Sequence, residues 1–470
     1  MSYTLPFEVP ELSFEESLRQ LHATLKFGIV PLLETVEDML EECGNPDLCY
    51  DCLQIAGTNG KTSTSRYTAA ILAGEGLRSA LYTSPELVSY TERMEVDGKP
   101  VSEEAFAHGL SAAFEAGRRV NARRSAAGER PYDITEFDLL TVAALVVYAE
   151  AGVDVAVLEV GMGGRWDATS ATKSIKSVAV TGVGLDHTHI LGDTLEAIAG
   201  EKAAVIQRGR TCVLGVGTAT PESVEDIFLQ QCEQEDVRPV LLRPQVLSDA
   251  AGEMAEGQPR THEELPSSTF VVTKRPSRIG FPLELTVTTP RGCYEKLAAL
   301  KPAYQAANIS CAVVLCENYL GRALDADALY ESIVTCPTPG RFDVVRPDPV
   351  GLIDACHNPQ SVETFLTAVR AIAPNVADRP ALLAAVLKDK DVAGIVDLLA
   401  PEFPCVYVTQ TSSHRALSAA ELAEQFCAAG AEVAGVFPTV ADAMEALADT
   451  AFVACGSITL AGEVAGLLRR

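Results

Sequence analysis

One glycine-bearing stretch, Gly57-Thr58-Asn59-Gly60-Lys61-Thr62-Ser63, has the residue types that bind phosphate. It follows a mostly apolar run at 53–56 and precedes a helical pattern at 65–72. A strand, a glycine loop and a helix N-terminus together direct backbone N–H groups at an anion. Lys61 can reach the outer phosphates of a nucleotide, and the hydroxyl residues after it can bind Mg²⁺ or phosphate. The stretch therefore predicts a nucleotide phosphate site.

The glycine spacing in this stretch is shorter than in a standard P-loop. The G-x-x-x-x-G-K-[ST] pattern requires a glycine five positions before Gly60, where this chain has Ile55. The alternative is a tight strand-to-helix turn with an unrelated lysine. Because glycines, a lysine and hydroxyl residues occur together, we favour a compact phosphate loop.

Polar side chains follow three further predicted strands. Ser84 follows a short strand at 78–83, Glu159 lies near the end of an apolar strand at 154–160, and His187 follows a strand at 177–181. Strands that alternate with helices indicate a parallel sheet, in which ligands bind at the carboxyl ends of the strands. A hydroxyl, a carboxylate and an imidazole beside a phosphate loop predict a Mg²⁺ site. Taken singly, His187 is better explained as a core or capping histidine, and the alternative for Glu159 is a capping or paired carboxylate.

The elements that position these residues predict an α/β protein with two domains. Residues 1–336 are expected to form a P-loop-type, mostly parallel sheet domain, and residues 337–470 a smaller Rossmann-like α/β domain. Alternating apolar residues at about 269–296 predict a small antiparallel β region in the first domain. The polar, small-residue stretch at 119–131 predicts a surface loop. The first strand of the second domain ends in the sequence DACHNP at 354–359.

Composition limits the partners of this chain of 470 residues. A net charge of −27 argues against a nucleic-acid backbone or an anionic membrane as a partner. No apolar run is long enough to span a bilayer, and the N-terminus has no secretory signal pattern. The thirteen cysteines include one lone C-x-x-C, at Cys49 and Cys52, which indicates reduced thiols rather than a zinc site. We therefore expect a cytoplasmic monomer.

An ordered set of motifs resembles the folylpolyglutamate synthase/dihydrofolate synthase family of Mur-type ATP-dependent amide ligases. In the first domain the motifs are GTNGKTS at 57–63, YTSPELVSYTER at 82–93, LEVGMGGRWDAT at 158–169, GLDHTHILGDT at 184–194 and EKA at 201–203. Later come QAAN at 305–308, GRFDVV at 340–345, DACHNP at 354–359, LKDKD at 387–391, HRALSAAEL at 414–422 and CGSITLAGE at 455–463. No single string is decisive, but their order over nearly the whole chain makes the resemblance specific. The departure at Ile55 is expected of this family.

The resemblance implies a ligase of folate metabolism that adds L-glutamate to dihydropteroate, to folate glutamates, or to both. Such enzymes use ATP and Mg²⁺ to convert a carboxylate into an acyl phosphate, which the glutamate amine then attacks. A monovalent cation is a further candidate cofactor. The sequence leaves open which of the two acceptors is used.

Site residues follow from the same resemblance. It implies ATP contacts from Gly57, Thr58, Asn59, Gly60, Lys61, Thr62, Asn308, Arg341 and Asp354. It implies a metal site made by Ser84, Glu159, His187 and Lys202 as a carbamate, and catalytic roles for Lys61, Lys202 and His357. It implies substrate contacts from Phe27, Gly28, Thr135, Glu136, Phe137, Asp138, Trp166, Asp167 and Ala168. Without it, Lys202 is interpreted as a surface helix lysine, and a core role for Trp166 is nearly as well supported.

Three positions depart from the common family pattern. Thr62 stands where many members have glycine, Glu86 where histidine is frequent, and Ala355-Cys356 where Gly-Ala is frequent. None of these changes removes a proposed metal or phosphate ligand. Glu86 places an additional carboxylate on the folate side, where it could repel an anionic substrate or contact its pterin.

Two other function classes were weighed against the folate ligase. A Mur-type ligase acting on a nucleotide-linked peptide is expected to have a separate nucleotide-binding domain before the phosphate loop, which here begins at Gly57. A non-catalytic nucleotide-binding module would not need Lys202 together with Glu159 and His187. It would also not need a second domain bearing Arg341.

Overall fold

The computed structural model describes residues 3–24, 32–245, 260 and 262–468. Phe27 and Gly28, two of the predicted substrate contacts, lie outside the described residues. The described part of the chain contains two β-sheets, each flanked by helices.

The helices and strands up to residue 335 build the first sheet and its cover. The helices are α1 (Phe14–His22), α2 (Leu33–Glu42), α3 (Lys61–Gly74), α4 (Glu103–Ala126), α5 (Glu136–Ala151), α6 (Thr188–Leu191), α7 (Leu195–Ala203), α8 (Glu222–Gln234), α9 (Gln305–Leu320) and α10 (Ala326–Thr335). The strands are β1 (Asp51–Ala56), β2 (Ser79–Tyr82), β3 (Met94–Val96), β4 (Lys99–Pro100), β5 (Val155–Glu159), β6 (Ile175–Gly182), β7 (Thr211–Gly217), β8 (Val240–Pro244), β9 (Ser267–Lys274), β10 (Leu283–Thr288) and β11 (Cys293–Ala299).

The first sheet has eleven strands in the order β11-β10-β9-β8-β7-β6-β1-β5-β2-β3-β4. The central strands, from β8 to β2, are parallel, and both ends of the sheet are antiparallel. In the order β6-β1-β5-β2, the four strands that lead to predicted site residues are neighbours. β6 precedes His187, β1 precedes the phosphate loop, β5 ends in Glu159 and β2 precedes Ser84. Neighbouring strands lie about 4.8 Å apart, so their carboxyl ends form one compact row.

The second sheet has six strands in the order β12-β13-β17-β14-β15-β16. Its strands are β12 (Asp343–Arg346), β13 (Gly351–Ile353), β14 (Ala381–Ala384), β15 (Val406–Val408), β16 (Val433–Val436) and β17 (Phe452–Cys455). Its helices are α11 (Pro359–Ile372), α12 (Val392–Leu399), α13 (Ala419–Ala428), α14 (Val440–Ala446) and α15 (Ile458–Leu468). All neighbours are parallel except β12 with β13.

Helices cover both faces of the first sheet, which explains its nearly continuous apolar strands. One face packs on α5, an apolar helix with eleven consecutive buried residues from Leu139 to Ala149. The other face packs on α3 and α9, where Ile55, Val157 and Val213 meet Ile309 and Val313. A strand buried on both faces is mostly apolar, as β1 and β5 are, although β1 also buries Gln54.

Two expectations differ from the structure. The predicted surface loop at 119–131 is wrong over most of its length, because α4 continues to Ala126. Arg119 and Arg123, which lie in this stretch, both form ion pairs with Glu42 of α2, and these contacts hold the polar end of the helix against its neighbour. The antiparallel region predicted at about 269–296 forms β9 to β11, but it extends the main sheet through the parallel β8–β9 pair rather than standing apart. The domain boundary between 336 and 337 stays a prediction.

Candidate active site

The predicted phosphate loop lies between β1 and α3, at the carboxyl end of the sheet. Gly60 has a φ of +86°, in the left-handed region that favours glycine, and directly precedes α3. A Cβ atom on Gly57 would lie 1.9 Å from Thr181 Oγ1, and one on Gly60 would lie 2.3 Å from Asn308 Oδ1. Both glycines are therefore required by close packing against β6 and α9.

The loop is fastened to the end of β6 by hydrogen bonds. Thr58 N donates to Gly182 O at 2.9 Å, and Thr58 Oγ1 accepts from Gly184 N at 2.9 Å. Thr181 Oγ1 donates to Asn59 O at 2.6 Å. Thr181 is not among the predicted site residues, since a threonine in a buried strand is ordinary.

Two buried lysines converge on one carbonyl of the loop. Lys61 Nζ and Lys202 Nζ each donate to Gly57 O at 3.0 Å, and Lys61 Nζ also reaches Thr58 O at 3.2 Å. Lys202 is 3% exposed, so it is not a surface helix lysine. Burial, reinforced by the nearby Lys61 ammonium, lowers the pKa of Lys202 to about 7. Burial also lowers the pKa of Lys61.

Glu159 ends β5 beside these lysines with one oxygen unpaired. Thr62 Oγ1 donates to Glu159 Oε1 at 2.8 Å, whereas Glu159 Oε2 is buried with no hydrogen-bond partner among the described residues. Burial raises the pKa of this carboxyl, and the Lys61 ammonium opposes that rise. A buried carboxylate oxygen without a partner is costly unless a ligand binds it.

The remaining predicted metal ligands lie on adjacent strand ends. Ser84 follows β2, which pairs in parallel with β5 through Tyr82 and Leu158. His187 follows β6, has a φ of +49° and is half-exposed, and burial lowers the pKa of its imidazole. No cluster of three His, Cys, Asp or Glu side chains occurs in the described residues. The predicted ligand set contains only two residues of those types, so a divalent cation here would also depend on Ser84 and Lys202. The unpartnered Glu159 Oε2 and the uncharged amine that Lys202 can offer fit such a set.

On α9, Asn308 lies against the phosphate loop. Its Nδ2 donates to Gln305 Oε1 at 2.8 Å, and Gln305 Nε2 donates to Ser63 Oγ at 3.2 Å. Gln305 is a positioning residue that sequence reasoning did not single out, although it begins the QAAN motif. The pair connects α9 to the first turn of α3.

The second domain places its predicted residues at the carboxyl end of β13. Asp354 accepts hydrogen bonds from Phe342 N at 2.8 Å and from Cys356 N at 2.9 Å, so its carboxylate shapes the local backbone. His357 Nδ1 lies 2.9 Å from Ala355 O, and burial lowers the pKa of this imidazole. Arg341 borders an interdomain cleft together with Thr62, Pro85 and Glu86. The structure thus brings residues of both domains to one cleft.

The predicted substrate contacts include several residues whose side chains are already used within the fold. Thr135 and Asp138 form the capping box that begins α5, and Asp167 accepts from Met162 N at 3.0 Å and from Thr169 N at 3.1 Å. Phe137 packs so tightly on the loop after β5 that a Cβ at Gly161 would lie 2.7 Å from its ring. Asp167 therefore folds the loop that holds Trp166 and Ala168.

Among the predicted substrate contacts that the structure describes, Trp166 is the most accessible, with 49% of its surface exposed. Glu136 Oε1 accepts from Tyr90 OH at 3.2 Å, and Tyr90 OH lies 3.1 Å from His22 Nε2. Tyr90 and His22 are not among the predicted site residues, because nothing in the sequence shows that α1 lies against the YTER motif. The exposed face of Trp166 excludes the alternative of a core tryptophan.

Glu86 is neutralised by a neighbour. It forms an ion pair with Arg93, whose guanidinium also lies 5.0 Å above the ring of Tyr90. Both charged side chains are mostly buried, at 19% and 11% exposed. Because Arg93 balances its charge locally, this carboxylate does not present an uncompensated negative charge to an anionic substrate.

Comparisons with known proteins agree with this arrangement. Residues 55–225 match the Mur ligase middle domain, and residues 340–457 match the Mur ligase glutamate ligase domain. The dihydrofolate synthase/folylpolyglutamate synthase of Mycobacterium tuberculosis is 33% identical over 402 residues, which cover 84% of this chain and 77% of that protein. The chain belongs to this family.

Solved structures support the same assignment. A crystal structure of Mycobacterium tuberculosis folylpolyglutamate synthase complexed with ADP and AMPPCP is 29% identical, with a TM-score of 0.78 and coverage of 97% of this chain and 99% of that chain. A bifunctional folylpolyglutamate synthase/dihydrofolate synthase with Mn, AMPPNP and L-glutamate bound is 26% identical, with a TM-score of 0.73 and coverage of 98% and 100%. The predicted family and α/β fold class are confirmed.

Proposed function

We propose that this protein is an ATP-dependent ligase that joins L-glutamate to dihydropteroate, to the γ-carboxyl of folate glutamates, or to both. The observation that supports this most strongly is the convergence of Lys61 and Lys202 on the Gly57 carbonyl, with the Glu159 carboxylate close to Lys61. It lies in a chain whose family members are named for these two activities.

The chemistry needs a carboxylate to become a good leaving group. Transfer of the γ-phosphoryl group of ATP to the acceptor carboxylate gives an acyl phosphate, and the glutamate amine displaces phosphate to form the amide. Backbone N–H groups of the loop and the Lys61 ammonium can stabilise the charge that develops on the transferred phosphoryl group. Thr62 holds Glu159 in place beside them.

We propose that Ser84, Glu159, His187 and Lys202 hold Mg²⁺. When bound, the ion would neutralise phosphate oxygens and polarise the reacting phosphoryl group. Glu159 supplies the oxygen that lacks a partner. His187 can act as a ligand because its pKa is lowered and the neutral imidazole binds metal.

Carbamylation of Lys202 would complete this site. A neutral lysine amine attacks CO₂ and loses one proton, which converts a cationic side chain into an anionic one with carboxylate-like oxygens. Burial favours this reaction, because it lowers the pKa of Lys202 to about 7 and so keeps much of the amine neutral. The anionic product would also be attracted by the neighbouring Lys61 ammonium.

The second domain would complete the nucleotide site. We propose that Arg341, Asp354 and Asn308 contact ATP and that His357 lies near the reacting phosphate. Arg341 borders the cleft that also contains Thr62 of the phosphate loop. Enclosure between two domains would exclude the water that hydrolyses an acyl phosphate.

We propose that the aromatic acceptor lies against Trp166 and Ala168, with Phe137 and Asp167 shaping the loop that presents them. An exposed indole provides a flat apolar surface for a pterin or benzoate ring. We also propose that the protein is cytoplasmic, which its thirteen free cysteines support, and that it acts as a monomer. No helix in the described residues has the length and apolar character needed to cross a membrane.

A direct assay tests this proposal. Purified protein with ATP, Mg²⁺ and L-glutamate is given dihydropteroate or tetrahydrofolate in turn, and ADP release is followed together with product mass. Release of ADP that depends on either acceptor is expected, with a mass gain of one glutamyl residue. Absence of acceptor-dependent ADP release with both compounds would refute the proposal. Omission of glutamate provides the control for uncoupled ATP hydrolysis.

A further inference from the structure

The segment Ser84-Pro85-Glu86-Leu87-Val88 lies between the proposed metal site and the second domain. Ser84, at its start, is a proposed metal ligand. Glu86 and Leu87 border the interdomain cleft, together with Arg341 and Ile458 of the second domain. The segment thus contacts both sides of the cleft within a few residues of chain.

Within the first domain the segment has a fixed shape. Glu92 Oε2 accepts hydrogen bonds from Leu87 N at 2.9 Å and from Val88 N at 3.2 Å, and Glu86 forms its ion pair with Arg93. Thr83 N, immediately before the segment, donates to Arg93 O at 3.0 Å. Because these bonds tie the segment and residues 92–93 into one hydrogen-bonded unit, a displacement of Leu87 is expected to move Ser84 with it.

Leu87 is also in direct contact with the second domain. Its carbonyl packs on Gly462 in α15 so closely that a Cβ atom there would lie 2.0 Å from Leu87 O and 3.0 Å from Leu87 C. Its side chain packs on Gly340, where a Cβ atom would lie 3.0 Å from Leu87 Cδ1. Gly340 precedes Arg341, a proposed ATP contact. Such close approach of two backbones requires glycine.

We propose that Leu87 and Gly462 are positioning residues that couple docking of the second domain to the position of the Ser84 hydroxyl. When α15 is seated on Leu87, the segment holds Ser84 in the geometry for the cation, and the same contact sets Gly340 and therefore Arg341. When α15 is displaced, Ser84 and Arg341 lose their places together. This coupling rests on the proposed metal role of Ser84.

Two glycines one helical turn apart provide a matched test. Gly462→Ala introduces a clash with a backbone carbonyl, whereas Gly466→Ala on the same helix meets only Val88 Cγ1, at 4.0 Å. Both substitutions add one methyl group and raise helix propensity equally, so stability of α15 itself is not the variable. Thermal unfolding of both variants establishes that they are folded.

Two readouts besides turnover are measured. Hydrogen exchange of a peptide that covers residues 83–93 reports on the segment in the ligand-free protein. Electron paramagnetic resonance measures Mn²⁺ affinity in the presence of a non-hydrolysable ATP analogue. For Gly462→Ala we expect faster exchange of the Leu87 and Val88 amides and Mn²⁺ affinity weaker by about tenfold, the scale for a group that orients a metal ligand. Gly466→Ala is expected to match wild type in both measurements.

The result that overturns the coupling is a folded Gly462→Ala variant with wild-type exchange and wild-type Mn²⁺ affinity. An equal loss in Gly466→Ala would overturn it as well, because the clash with Leu87 would then not be the cause. Should Gly462→Ala not fold, Leu87→Ala removes the side-chain contact with Gly340 without altering α15, and the same weakening of Mn²⁺ binding is expected.

Ser84→Ala separates this inference from the proposed function. Weaker Mn²⁺ binding in Ser84→Ala, with unchanged binding in Gly462→Ala, refutes the coupling and leaves the metal site intact. Wild-type Mn²⁺ binding in Ser84→Ala refutes the metal role of Ser84, and the coupling falls with it. Weakening in both variants, with Gly466→Ala unaffected, supports both.

Discussion

The charge state of the Lys202 amine depends strongly on its surroundings. Its Nζ shares the Gly57 carbonyl with Lys61 Nζ, and it is almost completely buried. Two ammonium groups on one carbonyl repel each other, and burial disfavours both charges. The proposed conversion of the Lys202 amine to an anionic carbamate would remove this repulsion and would place a metal ligand in the same position.

Loss of the Lys202 amine should stop turnover. Lys202→Ala is expected to reduce kcat by about 100-fold or more, the scale for removal of one group that stabilises developing charge. The fold should be retained, as measured by circular dichroism and thermal unfolding. Depletion of bicarbonate should reduce wild-type activity, and ¹³C-bicarbonate should give a carbamate signal that Lys202→Ala lacks. A fully active Lys202→Ala variant would remove the carbamate from the mechanism.

The rate should depend on pH through the same amine. With a pKa of about 7, Lys202 is largely neutral above pH 7 and protonated below it. Only the neutral amine forms a carbamate, so we expect kcat at limiting bicarbonate to fall as the pH decreases through about 7. Saturating bicarbonate should shift the fall to lower pH. A pH–rate profile that does not respond to bicarbonate would contradict this prediction.

At the scale of elements, α3 is held to β3 by a buried ion pair. Arg66 NH2 lies 2.7 Å from Glu95 Oε1, and the two side chains are 9% and 6% exposed. Because α3 begins at the phosphate loop, this pair fixes the axis of the helix whose N-terminus faces the phosphates. A buried charge left without its partner is strongly unfavourable.

We expect Arg66→Met to lower the free energy of unfolding by about 3 kcal/mol, because Glu95 is then buried without a counter-charge. Urea unfolding followed by circular dichroism measures the change. The double variant Arg66→Met/Glu95→Leu is expected to recover most of the loss, since neither charge remains. If the double variant is as unstable as the single one, the pair contributes through packing rather than charge.

Much of the fold could be predicted from sequence because local patterns and tertiary packing agree there. The apolar runs of β1 and β5, the glycines after β1 and the polar residues at strand ends all lie where expected. The end of α4 was missed, because a composition typical of loops is held in the helix there by ion pairs of Arg119 and Arg123 with Glu42 of α2.

The identities of the site residues could be predicted from the sequence better than the contacts between them. Lys202 was expected only through family resemblance, because nothing local shows that α7 turns this lysine inward onto Gly57. The positioning roles of Thr181, Gln305 and Leu87 depend on contacts between elements distant in sequence. Such contacts leave no periodic signal in the chain.

At the scale of the whole molecule, one lysine joins the two sheets. Lys301, just after β11 at the antiparallel end of the first sheet, donates through Nζ to Arg341 O at 3.0 Å and to Phe342 O at 3.1 Å. It is 8% exposed, and burial lowers its pKa. The backbone around Arg341 is therefore held by the first domain through Lys301 as well as through the contact of Leu87 with Gly340.

Lys301→Met should loosen this connection. Loss of two hydrogen bonds from a charged donor is expected to raise the KM for ATP by about tenfold, because Arg341 is no longer fixed. Steady-state kinetics at varied ATP concentration measures the effect, and cleavage near residues 336–342 by a protease should become faster. Lys173→Met, at an exposed lysine of the first domain, is the control and should behave as wild type. An unchanged KM together with unchanged cleavage would contradict the role assigned to Lys301.

The exposed position of Trp166 has an optical consequence. It is the only tryptophan of the chain. Fluorescence excited at about 295 nm, where tyrosine no longer absorbs, therefore arises from one loop at the end of β5. A pterin that stacks on this indole should quench the emission, and one that binds elsewhere should leave it unchanged. The unmodified protein therefore contains its own fluorescent reporter, which can rank pterins, benzoates and folate glutamates by affinity before any turnover is measured.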